Sequence, residues 1–195
     1  MKRQISRDDI MPLELYAKIR GERRKALVEL KRNRRIHVGP HATVHFECYE
    51  TMWHQVQEML YIEKGGDEQL AGELEAYNPL IPQGSELVAT VMFEVEEEVR
   101  RHRLLAGLGG VERTMALTFE GERIQGVAES DIDRTTAEGK ASSVQFLHFP
   151  FTAGQIAKFR ASGATVLFVI DHPNYHHMAA LPEPVRAALA TDFAR

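Results

Sequence analysis

Between His45 and Glu63 the chain reads HFECYETMWHQVQEMLYIE, and within it Tyr49, Met52, Trp53, Val56, Met59 and Leu60 recur at intervals dominated by three and four. At about 100° per residue these side chains share one face, the pattern of a helix that buries one side. The spacing predicts a helix from near Thr43 to the Gly65-Gly66 pair, and any fold must supply an apolar surface beneath it. The opposite face collects Glu47, Glu50, His54, Glu58 and Tyr61. Glu63 falls by the same count on the apolar side, where a carboxylate has to be paired, protonated or released at a frayed end. Arg34 or Arg35 is its expected partner.

Upstream, Ser6 and Asp9 have the spacing of a capping box. From near Ile10, the residues Tyr16, Ile19, Ala26, Leu27 and Leu30 mark the apolar side of a second helix whose remaining surface is largely Arg and Lys. Arg34 and Arg35 then lead into a loop, IHVGPHA, punctuated by Gly39 and Pro40. A third helix is expected from Asp67 to Tyr77, stopped by Asn78-Pro79 because the residue before a proline is pushed out of helical geometry. Residues 1–41 hold 12 Lys and Arg against 5 Asp and Glu, so with a net charge of −4 the remainder carries −11. Residues 47–76 hold eight carboxylates and one lysine. The two segments are natural electrostatic partners for each other, which weighs against nucleic acid as the target of the basic helix.

From Glu86 the pattern changes. ELVATVMFEV, RTMALTF with RIQGVAE, SSVQFLHFPF and ATVLFVID read as strands, and EEEVRRHRLLAG, TAGQIAKFRASG and PEPVRAALATDF read as helices. The expected fold is α+β: a three-helix region over residues 1–82, basic then acidic, packed on an α+β region over 83–195 with a mixed, split-βαβ-like sheet, the two forming one compact unit. The longest apolar runs fall well short of the roughly 20 residues of a spanning helix, so no membrane segment is expected. The opening MKRQISRDD lacks the apolar core of a secretory signal, which points to the cytoplasm. Cys48 is the lone cysteine, so no internal disulfide or CxxC zinc site can form.

Several blocks in order, DDIMPLELYAKIR, RRIHVGP, FECYETMWHQVQEMLYIE, ELEAYNPLIP, LVATVMFE, KASSVQFLHF and DHPNY, resemble the bacterial and archaeal family known as domain of unknown function 3501. That resemblance spans nearly the whole chain and carries no established reaction. It implies a genomic setting beside rubrerythrin-like and iron-sulfur oxidoreductase genes, and so redox or peroxide-stress partners.

Two places carry candidate chemistry. Glu47, Glu50, His54 and Glu58, at spacings of three and four on a helix, offer the carboxylate and imidazole donors that iron, manganese or zinc accept. The simplest fate of that face is instead to be solvated or to lie against the basic helix. The alternative donor pair is Asp171 and His172 in DHPNYHH, directly after a strand, where a turn capped by Asp171 is the plainer reading. Arg34, Arg35, Arg134 and Lys140 are the candidate contacts for an anion or a partner. No nucleotide motif is present, since LAGLGG lacks the P-loop lysine, and Lys140 with Ser142 and Ser143 lacks the Ser-x-x-Lys order of a catalytic serine-lysine pair. The leading functional expectation is a metal-associated accessory protein of a redox system. Its rival is a non-catalytic module that docks an acidic protein or nucleic acid through the basic helix.

Overall fold

The computed structural model describes residues 2–129, 135, 136, 139–161, 163 and 165–194. After a 3-10 turn at Arg7–Asp9 come α1 (Leu13–Arg32), β1 (Arg35–Val38), β2 (Ala42–Phe46), α2 (Tyr49–Glu63) and α3 (Gly66–Tyr77). β3 (Glu86–Phe93), α4 (Glu98–Ala106), β4 (Met115–Phe119), β5 (Glu122–Gln125) and β6 (Val127–Ala128) follow. The chain closes with β7 (Val144–Pro150), α5 (Ala153–Arg160), β8 (Leu167–His172), β9 (Tyr175–Ala180) and α6 (Glu183–Leu189). The α+β class is as the sequence predicts. No helix among the described residues is long and apolar enough to cross a membrane.

The strands form two sheets, β1-β2-β3-β7-β6 and β5-β4-β8-β9. Every pairing between these strands is antiparallel, which corrects the expected mixed, split-βαβ-like sheet. Short connections such as Glu120-Gly121 and Pro173-Asn174 can only turn the chain back on itself. The near-continuous apolar run of β3 reflects burial on both of its faces. On β3, Leu87, Ala89, Val91 and Phe93 join the core between the sheets, while Val88 joins a second core beneath the helices.

Two segments read as loop or helix are strands. IHVGPHA, together with residues 42–46, folds as the β1–β2 hairpin and puts two strands inside the region expected to be wholly helical; α2 therefore starts at Tyr49 rather than Thr43. Alternation explains this, since Ala42, Val44 and Phe46 point to the inter-sheet core. Gly39 makes the turn at φ +67°, and a Cβ there would lie 2.5 Å from the His177 ring. DHPNYHH is likewise the β8–β9 hairpin. The side-chain hydroxyl of Tyr175, at its far side, donates to Val38 O at 2.7 Å and accepts from the backbone N–H groups of His41 and Ala42 at 2.9 Å each. One tyrosine thus ties the edge of one sheet to the turn of the other.

Helices α2 and α3 lie on the outer face of the first sheet. Met52, Val56 and Leu60 pack with Leu70, Leu80, Ile81 and Val88, with Tyr49 and Trp53 partly buried beside them. The apolar stripe predicted for this helix is therefore its core face, with Met59 left outside the core. Glu63, by contrast, is exposed and accepts from Gln69 Nε2 at 3.0 Å, so it leaves the apolar side where the helix ends. Arg34 is not its partner. Arg34 and Asp192, 4% and 1% exposed, form a two-pronged ion pair at 2.6 and 2.9 Å that joins the start of the first sheet to the C-terminal turn.

Removing one member of such a pair strands the other, which typically costs 3–5 kcal/mol. Urea unfolding of Asp192→Ala is expected to show a loss of that order, about 3 kcal/mol or more; a loss below about 1 kcal/mol would show that the pair is dispensable. A second prediction concerns the short strand β6. His148 on β7 lies between Glu86 (3.0 Å) and Glu129 (3.4 Å), and the Glu86 hydrogen bond, against the opposing effect of burial, holds its pKa above the ordinary histidine value. The stabilisation from protonated His148 is fully present below the unfolded value of about 6.5 and is lost as pH rises through the higher folded value. Between about pH 6 and pH 8, stability should fall more steeply in the parent than in His148→Gln; equal slopes would refute the assignment.

Candidate functional site

Helix α2 separates two clefts, and the one against α1 is the larger. The N-terminal arm is fixed along α2 by side chains that clasp its backbone. Gln57, fully buried, accepts from Met11 N at 2.9 Å and donates to Met11 O at 3.1 Å, and Trp53 Nε1 donates to Asp9 O at 2.8 Å. The arm's 3-10 turn is closed by Ser6 N–H donating to Asp9 at 2.9 Å, the Ser-x-x-Asp spacing noted in the sequence.

Helix α1 then docks on α2 through one charged contact. Glu58 accepts from Tyr16 Oη at 2.6 Å and from Arg20 through Nε and Nη2 at 2.9 and 2.8 Å. The Arg20 hydrogen bonds pull the Glu58 carboxyl down to about 2, so it stays ionised. Tyr16 stands edge-on to both Trp53 and Tyr61, at 6.2 and 5.8 Å between ring centres. The basic helix thus meets the acidic face of α2, with a second pairing of the two segments at Arg7 and Asp67, 2.6 Å apart.

Tyr16 is the single residue of α1 that is fully buried. Past Arg20 the helix leaves a cleft of about 490 Å³ between itself and α2. Leu27 and Leu30 line one wall, Tyr49 and Trp53 the other, and Arg23 lies over the Trp53 ring at 5.1 Å. Glu50, exposed in the first turn of α2, and His54 also face it. His54 Nε2 is shielded from solvent without a hydrogen-bond partner. Burial lowers the pKa of this imidazole, with Lys31, Arg24 and Arg20 acting the same way against Glu58, which leaves the ring neutral near pH 7.

The four carboxylate and imidazole candidates are therefore divided. Glu47 is not on the helix at all: it follows β2 and accepts from Thr90 Oγ1 at 2.7 Å on the sheet face. Glu58 is held by α1, and only Glu50 and His54 share a cleft. Among the described residues, no three His, Cys, Asp or Glu side chains gather where one metal ion could be held. Asp171 and His172, adjacent on a strand, point to opposite faces. Asp171 is exposed and pairs across the hairpin with His176 Nδ1 at 2.9 Å. His172 is buried, donates from Nε2 to Gly109 O at 3.3 Å and accepts at Nδ1 from Asn174 N at 3.2 Å. Asn174 Nδ2 donates to Gly107 O at 2.8 Å. With Tyr175 on the other hairpin, three residues of DHPNY are occupied in positioning backbone.

Of the candidate anion contacts, Arg34 is consumed by Asp192, Arg35 is exposed on β1, Lys140 is half-buried, and Arg134 lies outside the described residues. Burial pushes the Cys48 thiol up to about 11, so it behaves as a small apolar group. Sequence reasoning missed that His45 and Glu47 belong to a sheet face; the available signal was their spacing of two, which places them on one side of a strand.

No curated protein matches the chain. Among solved structures, a protein of unknown function from Burkholderia pseudomallei K96243 is similar throughout, 36% identical with a TM-score of 0.90, covering 98% of this chain and 100% of that one. The match to the family described as "Protein of unknown function (DUF3501)" runs over residues 4–193, and the chain belongs to that family.

Proposed function

We propose that this protein is a non-catalytic binding module whose α1–α2 cleft receives an acidic, apolar segment of a partner protein. The observation that carries the reading is the cleft itself: a 20-residue basic helix that fully buries only Tyr16 and leaves Leu27, Leu30 and Trp53 facing open space. Lys18, Arg23, Arg24 and Lys25 are exposed and form no ion pair among the described residues, so an acidic segment finds unneutralised charge above an apolar floor. That is the helix-in-groove mode of recognition, with charge setting approach and apolar anchors setting lifetime. Redox proteins of the rubrerythrin-like or iron-sulfur oxidoreductase kind, implied by family resemblance, are the first partners to try.

Trp53 is the chain's one tryptophan, so its emission reports directly on the cleft. Titration with a designed acidic peptide carrying Leu and Phe anchors should shift that emission and weaken as salt rises. Arg23→Glu should reduce affinity about tenfold or more, and Leu27→Ala together with Leu30→Ala should cost about 2 kcal/mol. Binding indifferent to salt and to Arg23, or no change in emission, would end this reading.

A second reading rests on the unpartnered His54 Nε2. Glu50 lies one helical turn away, so the pair supplies two of the donors a metal such as iron, manganese or zinc accepts, the rest coming from a partner. Protein isolated together with that partner, without chelator, should then carry stoichiometric metal that both Glu50→Ala and His54→Ala lose. Metal content unchanged in both variants sets this reading aside.

A further inference from the structure

On the other side of α2 the sheet holds a carboxylate with too few partners. Glu47 is 6% exposed, and among the described residues its carboxylate accepts one hydrogen bond, from Thr90 Oγ1 to Oε1 at 2.7 Å. No Lys, Arg or His pairs with it among the described residues. The nearby Arg34 guanidinium touches the Glu47 backbone carbonyl at 3.4 Å and is committed to Asp192. The second carboxylate oxygen is not sealed from solvent and is free to accept from a donor that enters beside it.

Glu47 lines a cleft of about 260 Å³ between the outer face of the first sheet and the side of α2 that carries Thr51, Met52 and Gln55. Met92 and Phe146 of the sheet and Met52 and Leu80 across from them make its walls largely apolar. His45, two residues before Glu47 and directly opposite Thr90 in the strand register, shares the cleft and has no hydrogen-bond partner among the described residues. Lys31, from the last turn of α1, also borders it. The cleft thus combines a carboxylate with an acceptor oxygen to spare, largely apolar walls and one lysine, features that small-ligand sites share.

We infer that this cleft binds a small ligand with a protonated amine and an apolar body, the amine on Glu47 and the body against Met52, Met92 and Phe146. Lys31 disfavours a second cationic group, so a ligand that also carries a carboxylate, as an amino acid does, fits the charges better than a diamine does. This inference is independent of the docking proposal, because the two clefts lie on different sides of α2 and share no lining residue.

Protein-observed NMR on the full chain tests it with three probes of one shape: L-phenylalanine, 2-phenylethylamine and 3-phenylpropanoate. The two amines should shift resonances of His45, Thr90 and Met92 saturably, and 3-phenylpropanoate should not. Glu47→Gln, which keeps a side-chain oxygen for Thr90, should weaken amine binding tenfold or more. Val144→Trp, on the cleft wall and leaving Glu47 intact, should abolish it. The inference is overturned if 3-phenylpropanoate binds as well as the amines, if amine binding survives Glu47→Gln, or if none of the probes binds at about 10 mM, well above the millimolar affinity of a weak fragment. Should Glu47→Gln fail to fold, loss of amine binding in Val144→Trp supports the site and its retention overturns it.

Discussion

The ion pair between Arg34 and Asp192 brings the residue that ends the N-terminal helical entry beside the last turn of the chain. Both groups are out of water, so each is tolerable only because the other is there. Around this contact the first hairpin enters the sheet, Phe46 N–H donates to Arg34 O at 2.8 Å, and α2 begins three residues after Phe46. The direction in which α2 leaves the sheet, and hence the position of both clefts beside it, is set there.

One strand of the first sheet, β3, contributes to both cores. β3 faces the inter-sheet core with every second residue and gives Val88 to the helical core on the other side. The uncovered remainder of its outer face, at Thr90 and Met92, is where Glu47 and His45 sit. A site arises because α2 and α3 cover only part of the sheet. The same incomplete coverage operates between α1 and α2: the Tyr16, Arg20 and Glu58 contact fixes one end of α1, and the rest of the helix extends past the surface it would need to bury.

DHPNY shows how a cluster with chemical potential can be spent on architecture. A histidine beside an aspartate after a strand invites a catalytic or metal-binding reading. Strand alternation separates them, both imidazole nitrogens of His172 are bonded, and Tyr175 is buried holding the opposite hairpin. What such residues do depends on which side of the strand each faces.

The sequence by itself determined the α+β class, the apolar face of α2, and the basic character of α1 and its acidic partner segment, because these depend on periodicity and charge within short windows; the family was legible from ordered blocks of residues. Only the tertiary structure decided that Glu47, Glu50, His54 and Glu58 are divided between three environments, that Arg34 finds Asp192 across 158 positions of chain, and that all the strands pair antiparallel. The physical reason is that a helical or strand period says which residues share a face but not what covers it. These carboxylates acquired their meanings, an ion pair for Glu58, the α1–α2 cleft for Glu50 and the sheet face for Glu47, from neighbours far away in the chain.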